Sequence, residues 1–234
     1  MDKLHSQLLI KIKELNQSDP KHNWVSSYLG TPHLRYGLKS PVLRAVCKTF
    51  SKDHQDLTKE DLLVLVDSLF KGESFEERAT ACYFLEYFPF LREKISPNKL
   101  DSWLNNLVGW AEVDTLCAGP FQARDFLDNW LNWKNLIIAF SKSQNISKRR
   151  ASLVLLVIPV RDSDQTDIAD LAFRNIDKLK SEKDILITKA TSWLLRSLIK
   201  NHQSRVEQYL KDNLNSLPKI AVRETQRKLQ TGKK

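Results

Sequence analysis

Apolar residues recur at helical spacing along nearly the whole chain, with polar residues between them. Leu4, Leu8, Ile12 and Leu15 mark a first amphipathic helix, which Asp19-Pro20 closes. A short second helix is predicted from Trp24 to Tyr28, stopped by Gly30 and Pro32. Ser40-Pro41 predicts a further start, with Ser40 as N-cap and Pro41 at the first helical position. Leu62, Leu63, Val66 and Leu69 form one stripe, broken at Lys71-Gly72. Ala79, Cys82, Tyr83 and Tyr87 continue in a helix ending near Pro89. Ser96-Pro97 opens another, which turns Leu100, Trp103, Leu104 and Leu107 inward. Gly109 breaks it, and a helix over 110–117 follows. Further helices are predicted over 120–133, 133–140 and 145–158, the last ending at Pro159. Four more cover 164–179, 181–200, 203–214 and 217–230. No strand-like alternation competes.

Polar and aromatic positions repeat over longer distances. Asp114 precedes Arg150 by 36 residues, and Arg150 precedes Trp193 by 43. Stacked helix pairs of the HEAT and armadillo type repeat every ~40 to 47 residues, with related units somewhat shorter. Equivalent helices of such pairs line one concave face. The expected fold class is therefore all-α: an α-solenoid of about six HEAT-like, armadillo-type helix pairs with a concave basic face. Residues 1–230 are expected to form one repeat domain and 231–234 a basic, disordered tail.

Charge sharpens this. The 234 residues include 37 Lys plus Arg against 28 Asp plus Glu, a formal net charge of +9. Such an excess favours a polyanionic partner, nucleic acid or an anionic membrane surface. The longest apolar run, 153–160, is far short of the ~20 residues of a membrane span. The first residues lack the apolar run of a signal peptide. Cys47, Cys82 and Cys117 are odd in number and far apart, so they read as buried thiols in a reducing cytoplasm. The five histidines give no metal spacing, and no Gly-rich phosphate loop is present. The expectation is a cytoplasmic, nucleoid-associated monomer without metal or cofactor.

Three constellations carry candidate chemistry. Lys189, Trp193, Arg196 and Lys200 fall at i, i+4, i+7 and i+11, beside a core stripe of Ile187, Ala190, Leu194 and Leu198. Lysine and arginine neutralise phosphates and the indole can stack on a nucleotide; alternatively this is a solvated face with a half-buried Trp. Trp110 and Asp114 are i, i+4 neighbours on one helix. They offer an anionic, π-rich spot to a cation, or Trp110 is core and Asp114 serves the helix dipole. Lys148-Arg149-Arg150 starts a helix, where cations are disfavoured unless an anion such as a phosphate or Asp114 holds them. Lys219, Arg223 and Arg227 add a basic stripe that tracks a backbone or solubilises the end of the array.

At these residues the chain resembles the DNA alkylation repair family of HEAT-like-repeat DNA glycosylases, the AlkD-like proteins. Four pieces carry the resemblance, in order. Tyr28 stands nine residues before Gly37 in Tyr-Gly-Leu-Lys-Ser-Pro. Gly109-Trp110-Ala111-Glu112-Val113-Asp114 is similar to the family's Trp-x-x-Val-Asp motif, and Arg149-Arg150-Ala151 to its Arg-Arg-Ala segment. Lys189-Ala190-Thr191-Ser192-Trp193-Leu194-Leu195-Arg196 is similar to its Lys-Ala-x-x-Trp-x-Leu-Arg helix. The chain departs at Ile185 and Leu186, where the best-matched members carry an aromatic pair, and at Ala111, where an acid is frequent.

The resemblance implies hydrolytic excision of positively charged alkylated purines, 3-methyladenine and 7-methylguanine, from duplex DNA. Asp114 would be the catalytic carboxylate, with Trp110 and Trp193 flanking the lesion nucleotide. Arg150 would contact the backbone beside the site and Arg196 would support phosphate binding. Tyr28 would touch the strand near the lesion. Arg149, Lys189 and Lys200 join the expected DNA-binding set. A non-catalytic HEAT-repeat protein that binds damaged or branched DNA is the alternative, and a protein-interaction scaffold a third reading.

Overall fold

A computed structural model of the chain describes residues 2–16 and 30–233. Every helix or strand among them is an α-helix; the one β-type feature is an isolated parallel bridge between Leu34 and Ser74. The expected stop at Asp19-Pro20, the helix through 24–28 and Tyr28 itself lie outside the described residues. The chain divides into two compact units, Met1–Pro120 and Phe121–Lys234.

The first unit opens with α1 (Lys3–Glu14), whose N-cap Asp2 accepts from the Leu4 and His5 amides. In α2 (Ser40–Asp53) the N-cap is Lys39, one residue before the expected Ser40. The reason is that the Lys39 carbonyl already accepts from both Val42 and Leu43. Capping boxes start α3 (Lys59–Phe70) at Thr58/Asp61 and α4 (Phe75–Tyr87) at Ser74/Glu77. Leu65 joins the core of α3, while Leu63 is only half-buried. Helix α4 is buried from Glu76 to Leu85, because α2, α3 and the last helix of the unit all pack on it. Then come α5 (Pro89–Arg92), α6 (Lys99–Leu104) and α7 (Gly109–Cys117).

In the second unit, α8 (Ala123–Asp128) and α9 (Trp130–Ser141) break at Asn129 rather than at the expected Trp133. Trp133 instead lies inside α9, its ring 4.3 Å from Phe126 and 5.1 Å from Phe121 between centroids. The helix expected over 145–158 is two: α10 (Ile146–Val154) and α11 (Val157–Asp162). Pro159 does not end a helix; it occupies the first turn of α11, where a missing N–H costs no hydrogen bond. Helix α12 (Thr166–Leu179) precedes α13 (Ile185–Asn213), which kinks at the non-helical His202, between the two helices the sequence predicts there. Helix α14 (Lys219–Thr231) keeps Thr231 helical and closes on Gly232 in the left-handed region, φ 67°. Helix α13 is the spine of this unit and packs against α10, α11, α12 and α14. Among the described residues no helix is long and apolar enough to cross a membrane, and no cluster of three or more His, Cys, Asp or Glu could hold a metal.

Candidate functional site

Helix α7 carries Trp110 and Asp114. Ala111, Glu112, Val113, Leu116 and Cys117 of this helix are buried against the unit, and Trp110, Asp114 and Thr115 are half-buried. The i, i+4 spacing thus leaves the indole and the carboxylate together on the partly open face. The helix-dipole role offered as the alternative for Asp114 belongs to another acid. Glu112 lies in the first turn and reaches back to accept from the Val108 amide at 2.8 Å.

Glu112 does more than cap. Its buried carboxylate accepts from the Thr31 hydroxyl at 2.5 Å, faces His33 Nδ1 at 2.7 Å and lies 4.0 Å from Arg78 Nε. Two residues N-terminal to Asp114, it therefore ties α7 to the loop at 30–33 and to α4. Gly30, in the left-handed region at φ 69°, comes so close that an added Cβ would sit 3.7 Å from the Gly109 Cα and 4.0 Å from Trp110 Cδ1. Farther along the loop, Glu76 of α4 accepts from three successive amides: Tyr36 at 3.0 Å, Gly37 at 2.9 Å and Leu38 at 3.3 Å. Gly37 supplies the positive φ, 78°, that aims those amides at one carboxylate. The Tyr-Gly-Leu-Lys-Ser-Pro turn is thus held by a buried anion.

A third carboxylate completes this framework. Glu77 faces His5 Nε2 at 2.8 Å and accepts from the Ser74 amide and hydroxyl at 2.8 and 2.6 Å. Burial pushes its pKa up, but the hydrogen bonds from His5 and Ser74 outweigh burial and hold it down at about 2.

The second unit orders its residues with guanidinium groups. Arg150, in the first half of α10, is 4 % exposed, and its guanidinium donates to the Leu186 carbonyl in the first turn of α13. Arg149 pairs with Glu182 through two bonds, 2.9 and 3.2 Å, and donates to the carbonyls of Ser143 and Gln144. The two arginines therefore fasten the start of α13 to α10. Farther along α13, the core stripe Ile187, Ala190, Leu194 and Leu198 is fully buried. Of the other face, Lys189 and Lys200 are exposed and Trp193 is half-buried. Arg196 is tucked in at 8 % exposure. It donates to the Ser192 carbonyl and pairs at 3.3 Å with Glu224 of α14, which also accepts the Ser192 hydroxyl at 2.6 Å.

Sequence reasoning missed Glu112, Thr31, His33 and Glu76. Glu112 had a signal, as a first-turn acid inside an otherwise apolar segment. Thr31 and His33 had none, since their partner lies about 80 residues away. The cysteines are all buried, and burial raises the Cys47 thiol pKa to about 12.

A family model described as DNA alkylation repair enzyme matches residues 14–229. Among curated proteins none matches the chain. A solved structure titled a predicted DNA alkylation repair enzyme from Enterococcus faecalis superposes with a TM-score of 0.76. It is 19 % identical, and the match covers 92 % of this chain and 98 % of that one. At that identity the likeness speaks for the fold.

Proposed function

The chain belongs to the DNA alkylation repair enzyme family, and on that premise we propose that it is a monofunctional DNA glycosylase that hydrolyses the N-glycosidic bond of cationic N-alkylated purines, such as 3-methyladenine and 7-methylguanine, in duplex DNA. The observation that carries the reading is Asp114 beside Trp110 on the partly open face of α7, with the first-turn role taken by Glu112.

N-alkylation places a formal charge on the base. When the bond from the sugar C1′ to the base nitrogen breaks, its electron pair goes to the base, which leaves neutral. The sugar is left as an oxocarbenium-like cation. In this reading the Asp114 carboxylate and the Trp110 indole face stabilise that cation, and Trp193 is assigned to stack on a nucleotide of the duplex. Water adds to C1′ and gives its proton to Asp114. No general acid is needed for so good a leaving group, so a single carboxylate suffices. The exposed Lys189 and Lys200 hold phosphates, the buried Arg150 and Arg196 support that binding by positioning α13, Arg149 secures its neighbour, and Tyr28 touches the strand beside the lesion. The net charge of +9 supports a polyanionic substrate.

The test is base release from a duplex containing 7-methylguanine. Asp114→Asn should slow release by about 100-fold or more while leaving duplex affinity within about twofold. A mutant as fast as wild type would falsify the catalytic assignment.

A further inference from the structure

An array of charges in the Phe121–Lys234 unit extends from Arg196 and Lys200 to residues outside the family motifs. It runs across three helices. On α11, Arg161 grips its neighbour Asp162 through two bonds, 2.9 and 2.8 Å. On α13, Lys200 Nζ lies 3.7 Å from the same Asp162 carboxylate. One turn back on α13 is Arg196, paired with Glu224 of α14, and one turn beyond Glu224 is Lys228. Arg161, Lys200 and Arg196 thus pair with two carboxylates, and with Lys228 the strip carries four cations against two acids, an excess of two positive charges.

The strip is built on fixed backbone. Asn201 donates its side-chain amide to the carbonyls of Val160, Arg161 and Ser163, at 3.2, 2.9 and 3.1 Å. These are orphan acceptors at the C-terminal end of α11, so the amide ties that end to α13 where it kinks at His202. Lys228 is half-buried, and burial together with the like charges of Arg196 and Arg161 holds its pKa below the ordinary lysine value. Crowded cations of this kind are relieved by an added anion. Trp193 stands one turn before Arg196 on the same helix, so an anion here adjoins the indole already assigned to the nucleotide.

We propose that Arg161, Lys200 and Lys228 form, beside Arg196, a binding site for the phosphodiester backbone of duplex DNA, and that Asp162 occupies in the free protein the place a phosphate takes in the complex. The proposal rests on the function proposed above only for the identity of the polyanion. On contact with DNA, Arg161 and Lys200 exchange one carboxylate for phosphate oxygens. Asp162 is therefore a competitor that keeps the strip ordered and weakens unproductive binding.

Anisotropy with a lesion-free duplex, titrated between about 50 and 200 mM salt, tests this without any chemistry. Each phosphate contact contributes about 0.9 to the slope of log K against log salt. Arg161→Gln and Lys228→Gln should each lower that slope by about 0.9, and Lys228→Arg should restore it. Asp162→Asn should tighten binding more than Asp167→Asn, an equal change of charge at an exposed position of α12. Unchanged slopes in both Gln variants, or an Asp162→Asn effect no larger than that of Asp167→Asn, overturns the proposal. If the slopes fall as expected but wild type releases no base, the strip stands and the glycosylase reading falls. Base release with unaltered slopes gives the reverse.

Discussion

The two units order their candidate residues with opposite charges. Around α7 the fixed points are carboxylates: Glu112, Glu76 and Glu77 are buried and collect hydroxyl, imidazole and amide donors from a loop and a helix start. Around α13 the fixed points are guanidiniums: Arg149, Arg150 and Arg196 collect carbonyls and the carboxylates of Glu182 and Glu224. The difference teaches which charged groups anchor the fold and which lie on partly open faces. In the first unit Glu112, Glu76 and Glu77 hold the fold, and Asp114 lies with Trp110 on the partly open face of α7. In the second, buried arginines position the helix, while Lys189, Lys200 and Arg161 are exposed. A carboxylate can serve one sugar cation, and a row of cations can serve a backbone.

Breaking the first framework should have the largest effect. Glu112→Ala strands Thr31, His33 and Arg78 without their buried anion and should cost about 4 kcal/mol of stability, read by urea denaturation. It should also slow base release, since α7 loses its tie to the loop at 30–33. A stability loss below about 1 kcal/mol would remove Glu112 from the framework.

Acid probes the same unit. The Glu77 pKa is about 2 in the folded protein against an ordinary 4.5, so its contribution is fully present above about 4.5 and is lost as pH falls from there towards 2. The shift corresponds to about 3 kcal/mol. Wild type should lose that much more stability than Glu77→Gln across this window; parallel pH curves for the two would refute the linkage.

The second framework should respond less to a single change. Arg149→Ala removes a partly exposed, two-point ion pair and two carbonyl bonds, with an expected loss of about 1 to 2 kcal/mol. Because that pair orders the start of α13, duplex affinity should fall too, and Glu182→Gln should reproduce part of the loss. Lys189→Ala marks the low end. Its side chain is exposed, so stability should stay within about 0.5 kcal/mol while the salt slope of duplex binding drops by about 0.9. The contrast between the frameworks sharpens if Arg149→Ala proves milder than Glu112→Ala, and collapses if the order reverses.

Local pattern carried much of this into view. The helix breaks at Gly109 and His202 and the core stripe of α13 follow from periodicity and punctuation alone. Trp110 and Asp114 share a face because 3.6 residues make a turn. Pro159 misled because a proline reads alike at the end of one helix and in the first turn of the next. Trp133 misled because a large aromatic has no preference for a boundary and sits where Phe121 and Phe126 enclose it. Arg196 read as a surface cation, and only the packing of α14 against α13 buries it beside Glu224.

By itself the sequence determined the helical class, the residues able to share a helix face and the cationic excess, because these depend on local periodicity and on counting charges. Which glutamates became anchors, which arginines were consumed by neighbours and where Asp162 stands among the cations were decided only by tertiary structure. Most depend on pairs about 30 to 80 residues apart, such as His5 with Glu77 and Arg149 with Glu182, whose desolvated charges must be matched wherever the fold brings them together.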